Sequence, residues 1–154
     1  MNLSRSNWLL VAVSAALSFF GFWAFVGTLS PIPESMLTVS GTVTSAKASF
    51  RKGNISVIRF KLAPTNEEFS YPSILKNTQD VWNKIDKDMP VEVTFIRDPN
   101  PELWGLRVAG EVLLTPSSAQ AARRENGYWA LAVGIGFFLS CMYLIFIEGR
   151  RAAA

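Results

Sequence analysis

The chain has 154 residues, a length typical of one folded domain, and 49% of them are apolar. Its 15 Lys and Arg and its 12 Asp and Glu leave a net charge of only +3. It has no histidine, so the commonest general base is missing, and its single cysteine excludes an internal disulfide or a cysteine-rich zinc site. We therefore predict a protein that is not an enzyme, with no catalytic residue, no cofactor and no bound metal.

The apolar residues are concentrated at the two ends of the chain. Residues 8–29 and 128–147 contain no charged side chain. A helix of about 20 apolar residues is long enough to cross the hydrocarbon core of a bilayer, so both runs are predicted to be transmembrane helices. A soluble domain of about a hundred residues could not bury two such helices in its core.

The first apolar run follows the positively charged Arg5, as the apolar part of a secretory signal peptide would. The run is longer than a usual signal sequence, and Trp8 suits a membrane interface, so we predict a span that is retained. In the alternative, cleavage would leave a protein anchored only by residues 128–147.

The positions of Lys and Arg predict the sidedness. Arg5 precedes the first span, and the next Lys or Arg is Lys47, so the amino terminus is expected in the cytoplasm. With two spans the carboxy terminus lies on the same side, which predicts a two-pass protein of the bacterial inner membrane with a periplasmic middle. The predicted segments are a cytoplasmic tail (1–7), a transmembrane helix (8–29), a linker (30–36), an extracytoplasmic β domain (37–114), a helical connector (115–127), a transmembrane helix (128–147) and a cytoplasmic tail (148–154).

The middle of the chain begins with a hairpin pattern. Pro31 and Pro33 end the first helix and favour an extended linker. Residues 37–44 alternate apolar and polar side chains, which predicts a half-buried strand with Gly41 at a bulge or a close approach. Residues 55–62 alternate in the same way, so the two segments are predicted to pair.

The remaining elements follow in the same manner. A short strand is predicted at 68–71, and the apolar period then changes to that of an amphipathic helix over 73–85, with Ser73 as its cap. Strands are predicted again at 91–95 and from about 104 to 114.

A helical connector is predicted next. Thr115 can cap a helix that begins at Pro116, and only Gly127 weakens its continuation into the second span. The order strand, strand, strand, helix, strand, strand is that of the OB-fold. We therefore predict an α+β membrane protein in which two transmembrane helices flank a small five-stranded barrel, with an open sheet or an SH3-like barrel as the competing solution.

An OB-like order raises the question of nucleic-acid binding. Residues 30 to 126 contain twelve Lys and Arg and eleven acidic residues. There is no basic excess to drive binding to a phosphate backbone, so no nucleic-acid partner is predicted. Trp104 follows a proline-rich turn, where an exposed aromatic would suit partner recognition. The candidate contacts to a partner or to lipid headgroups are Arg51, Lys52, Arg59, Lys61, Trp104, Arg123 and Arg124.

Small residues recur along both spans at helical spacing, which allows helices to approach closely in lipid. Such faces serve either to pack the two spans of one chain together or to dock them on a partner. The candidate packing residues are Ser14, Ser18 and Gly21 in the first span and Ala132, Gly136 and Ser140 in the second, beside a second pair, Ala130 and Gly134.

Two segments carry a resemblance: Gly41-Thr42-Val43, and the alternating run Val91–Pro101, which ends in the turn Asp98-Pro99-Asn100-Pro101. They are similar to the pattern, an alternating strand that runs into a D-P-x-x-P-type turn, of a group of uncharacterised small bacterial membrane proteins with a β domain between two transmembrane helices. The resemblance covers residues 37 to 114 and implies no catalytic residue.

Together these features predict a non-enzymatic, membrane-anchored accessory or interaction subunit whose periplasmic β domain binds a partner. Its expected partners are membrane lipid and other membrane proteins or a second copy of the chain. The alternative is an envelope domain that binds or senses anionic lipid headgroups or glycan.

Overall fold

A computed structural model describes residues 5–65, 67–97 and 100–151. Asn66, Asp98 and Pro99 lie outside the described residues, and with the last two part of the predicted turn at 98–101. The chain divides into two compact units. We call Pro31–Arg123 the sheet unit, and the apolar helices outside it, up to Ser30 and from Arg124 onwards, the anchor unit.

The fold is α+β, and its strands form one antiparallel six-stranded sheet in the order β3-β2-β1-β4-β5-β6. Two helices, α1 and α3, are long and apolar enough to cross a membrane and flank the sheet in sequence. The elements are α1 (Arg5–Gly27), β1 (Leu37–Arg51), β2 (Asn54–Ala63), β3 (Glu68–Pro72), a 3-10 turn (Ser73–Leu75), α2 (Thr78–Lys84), β4 (Pro90–Arg97), β5 (Pro101–Val108), β6 (Glu111–Leu114) and α3 (Pro116–Arg151).

Of the two predicted solutions, the open sheet is confirmed and the closed barrel is wrong, and the predicted number of five strands is wrong as well. The sheet is open, with β3 and β6 at its edges, and it has six strands. The predicted last strand is a hairpin, because Ala109 and Gly110 adopt positive φ angles of 48° and 86° and turn the chain between β5 and β6. Alanine rarely adopts such an angle, so the sequence carried only a weak turn signal there.

The predicted amphipathic helix is also interrupted. Lys76 and Asn77 have φ angles of 63° and 50°, which no helix can include, so a 3-10 turn precedes the break and α2 follows it. Ser73 makes no capping hydrogen bond. The cap predicted for α3 is confirmed, since the hydroxyl of Thr115 accepts a hydrogen bond from the amide of Ser118 at 3.2 Å.

The core of the sheet unit follows from the alternation of its strands. Apolar side chains of β2, β3, β4 and β5 face one side of the sheet and are joined there by Leu75 and Val81 from the segment between β3 and β4. Phe69 lies at its centre, with its ring centroid 5.8 Å from that of Phe60 and 5.0 Å from that of Phe95. The aromatic cluster thus binds three strands together.

Tyr71 supports the irregular segment that follows β3. Its ring is fully buried, and its hydroxyl donates to the carbonyl oxygen of Lys76 at 2.8 Å, with the carbonyl of Leu75 at 3.3 Å. These carbonyls lie where the 3-10 turn ends, so the hydroxyl of Tyr71 connects β3 to the end of that turn. Burial raises the pKa of the Tyr71 hydroxyl to about 12.

A Tyr71→Phe variant is expected to lose about 1 kcal/mol of unfolding free energy, because the buried carbonyl of Leu75 and the partly buried carbonyl of Lys76 lose the hydroxyl that donates to them. The neutral hydroxyl is favoured in the fold, so wild-type stability is complete below pH 10 and falls as the pH rises towards 12. The variant should lack this decline. Urea unfolding of the full chain in detergent at pH 8 and pH 11 measures both effects, and Tyr128→Phe, at an exposed tyrosine of the anchor unit, should behave as wild type.

Candidate functional surfaces

Two of the predicted basic contacts lie at the tip of the hairpin formed by β1 and β2. Arg51 and Lys52 are exposed there, and the neighbouring Phe50 leaves 64% of its surface in contact with solvent. Lys52 and Gly53 form the tight turn, with φ angles of 51° and 81°. The tip therefore presents two cations beside an exposed aromatic ring.

A second pair, Arg59 and Lys61, projects from one face of β2 because the two residues are two positions apart. Glu68 of β3 lies 3.9 Å from Arg59 Nε and 4.0 Å from Lys61 Nζ. In the register of the hairpin, Lys47 of β1 lies directly opposite Arg59 of β2. Lys47 was missed from the sequence because β1 was expected to end near residue 44, whereas it continues to Arg51.

These side chains border a groove with a volume of about 480 Å³, which we call the basic groove. Of the seven predicted contacts, only Arg59 and Lys61 line it. The residues that line it are Ser45, Lys47, Ala48, Ser49, Arg59, Phe60, Lys61 and Glu68.

The prediction that Trp104 is exposed at a loop tip is wrong. Trp104 lies within β5 and is 5% exposed, because it belongs to the hydrophobic core of the sheet unit. The guanidinium of Arg123 lies over its ring, 4.0 Å from the centroid. The same guanidinium donates to the carbonyl of Leu103 and pairs with Glu102, both at 2.9 Å. Burial lowers the pKa of Arg123 and the charge of Glu102 opposes that effect.

Arg123 and Trp104 thus form a packed arrangement inside the sheet unit and do not line the basic groove. The next residue of α3, Arg124, is exposed. Sequence spacing could not reveal the contact, since Arg123 and Leu103 are separated by 20 positions.

The comparisons with known proteins are negative. No family model, curated protein or solved structure matches the chain. The resemblance to small bacterial membrane proteins stays a prediction. Among the described residues, no group of three His, Cys, Asp or Glu side chains is arranged to hold a metal ion.

In the anchor unit, α1 and α3 pack through small residues. A Cβ placed on Gly21 would lie 2.7 Å from Gly134 Cα and 2.8 Å from the carbonyl oxygen of Ala130, so the two backbones are in direct contact. Ser18 is buried at 5% exposure, and the thiol of Cys141 lies 3.9 Å from the carbonyl of Val11.

The predicted packing residues fall into two groups. Ser18 and Gly21 lie where α1 meets α3, and Ser14 is half-buried. In α3 the contact is made by Gly134, whereas Ala132, Gly136 and Ser140 are exposed and a Cβ on Gly136 would meet nothing within 4 Å. The stripe Ala132-Gly136-Ser140 is called the outward stripe below.

Proposed function

We propose that the protein is a non-enzymatic, membrane-anchored accessory or interaction subunit of an inner-membrane complex. The observation that carries this proposal is the outward stripe, which remains exposed although α1 and α3 already pack together. A second face of small residues brings nothing to that packing. It does allow another transmembrane helix to approach closely.

The geometry of α3 supports separate roles for its two faces, one that packs against α1 and one that is open to another helix. Gly134 contacts Gly21 of α1, while Gly136 faces open space two positions further along the helix. The hydroxyl of Ser140 donates a hydrogen bond to the carbonyl of Gly136 at 2.9 Å. This polar group is therefore satisfied within α3 and needs no hydrogen bond from another helix. An incoming helix would gain van der Waals contact along this stripe.

The proposed orientation follows from Arg5 and from the absence of Lys and Arg between it and Lys47. Both termini would lie in the cytoplasm and the sheet unit in the periplasm. There it would bind the extracytoplasmic part of the same complex, with the hairpin tip of Arg51 and Lys52 as the exposed contact.

In-membrane photo-cross-linking tests this proposal. A photoreactive residue at Ala132, in the outward stripe, is expected to give a defined adduct in native membranes, with either another protein or a second copy of the chain. The same residue at Ala24, an exposed small position of α1, should not give this adduct. Adding Gly136→Val should abolish the Ala132 adduct, because its bulk separates the helices.

Two results would contradict the proposal. The first is the absence of any discrete adduct from Ala132. The second is an adduct that persists at full yield in the Gly136→Val chain, which would mean that the outward stripe does not form the contact.

A further inference from the structure

We propose that the basic groove binds the phosphate group of a phosphomonoester, with Lys47, Arg59 and Lys61 as the charged contacts. This site goes beyond the membrane-complex function and does not depend on it. Arg59 and Lys61 stood out in the sequence, whereas Lys47 and the two serines enter only through the register of β1 and β2.

The first observation is a repulsive pair. Lys47 and Arg59 are directly opposite each other across the hairpin, an arrangement that destabilises a sheet because like charges face one another at about 5 Å between Cβ atoms. Lys61 lies two positions further along the same face of β2. An anion held between these side chains would turn the repulsion into attraction.

The second observation is that the groove lacks enough negative charge of its own. Glu68 is its single carboxylate against three cations, which leaves a net charge of +2. Glu68 reaches only Arg59 and Lys61, at 3.9 and 4.0 Å in an exposed setting where ion pairs contribute little. Lys47 forms no ion pair within the part of the chain that the structure describes.

The composition of the groove selects the ligand class. A phosphomonoester carries a charge of about −1.5 to −2 at neutral pH, which matches the groove. A guanidinium such as that of Arg59 can bind two phosphate oxygens at once. Ser45 and Ser49 alternate with Lys47 on β1 and add hydroxyl donors on the same face.

The volume of the groove leaves room for more than a bare phosphate group. A volume of about 480 Å³ holds a phosphate together with a sugar-sized or glycerol-sized group. A lipid headgroup and a soluble phosphorylated metabolite share this chemistry. The experiment must therefore separate the two sources.

Calorimetry on the full chain in phosphatidylcholine nanodiscs, with glycerol 3-phosphate as the probe, tests the site. Lys47→Gln removes one charged contact without touching the core and is expected to weaken binding about tenfold. Lys87→Gln removes an exposed lysine outside the groove and should change the affinity less than about twofold. Glycerol 3-phosphate should also raise the melting temperature of the wild-type sheet unit more than that of the Lys47→Gln variant.

Vesicles of phosphatidylcholine with or without phosphatidic acid distinguish the two sources. Capture of the nanodiscs only by vesicles with phosphatidic acid, lost in Lys47→Gln, assigns the site to a lipid headgroup. Binding of glycerol 3-phosphate without vesicle capture assigns it to a soluble ligand. The proposal is overturned if neither glycerol 3-phosphate at millimolar concentration nor vesicles with phosphatidic acid bind to the wild-type chain. It is also overturned if the Lys47→Gln and wild-type chains bind these probes with equal affinity.

Discussion

A Gly41→Ala chain is expected to lose a large part of the stability of its sheet unit. Gly41 lies in β1 where that strand passes from pairing with β4 to pairing with β2. A Cβ at this position would lie 2.0 Å from the carbonyl oxygen of Ala63 and 3.2 Å from its carbonyl carbon. Because the obstacle is backbone, it cannot rotate away as a flexible side chain could.

The expected size of the effect follows from the overlap. Overpacking a core costs about 1–3 kcal/mol, and a clash with a paired strand belongs at the upper end of that range. For a domain of this size each kcal/mol lowers the melting temperature by about 4–8 °C, so a decrease of about 15 °C is expected. That is a large part of the stability of a domain that small.

The measurement is the temperature at which the sheet unit of the full chain, in detergent, loses its resistance to a protease. Ser40→Ala is the matched control, because Ser40 precedes Gly41 in the same strand and is exposed. It should melt within about 3 °C of the wild type. Equal melting temperatures for the two variants would show that β1 tolerates a side chain at Gly41.

A Gly21→Val chain is expected to lose the pairing of α1 with α3. The added methyl groups would extend beyond a Cβ that already lies 2.7 Å from Gly134 Cα and 2.9 Å from its amide nitrogen. The helices must then separate, which removes van der Waals contact along their length. Gly136→Val introduces the same side chain where nothing lies within 4 Å, so it should leave this pairing intact.

Cross-linking within one chain reports on this pairing. Cys141 is the only cysteine, and its thiol lies 3.9 Å from the carbonyl of Val11, so Val11→Cys places a second thiol beside it. A short bis-maleimide in membranes should add to both thiols, join them and shift the mobility of the denatured chain. Gly21→Val should reduce the yield about tenfold, as a loss of ~1.4 kcal/mol would. An unchanged yield would mean that Gly21 does not hold the helices together.

The two valine variants also separate the roles of the two small-residue faces. Gly21→Val is expected to disrupt the anchor unit from within, whereas Gly136→Val should affect only contacts made to other chains. A reversal of these effects would exchange the assignments of the two faces of α3.

The local elements were predictable because their signals lie within a few residues of one another. The apolar runs on either side of the sheet, the alternation over β2 and β4, and the cap of α3 at Thr115 each depend on neighbouring positions. Gly41 is an intermediate case. The sequence predicted a bulge or a close approach there. The structure confirms the close approach and identifies the backbone of Ala63 as the group that approaches Gly41.

The errors arose where a backbone angle or a distant partner decided the outcome. The turn at Ala109 and Gly110 divided one expected strand into two, because an alanine adopts a φ angle that its type disfavours. Trp104 was expected at the surface, but Arg123 packs over its ring from a different element. Neither the turn nor the contact of Arg123 with Trp104 leaves a periodic signal in the sequence.

By itself the sequence determined the composition of the two apolar helices, the strand-rich segment between them and the small residues on two faces of the second helix. The tertiary structure alone decided that Lys47 faces Arg59, that Gly134 and not Gly136 meets α1, and that the sheet remains open. The physical reason is the range of the interaction. Helical and strand periods are set by neighbouring residues, whereas register and packing face are set by partners that are distant in sequence.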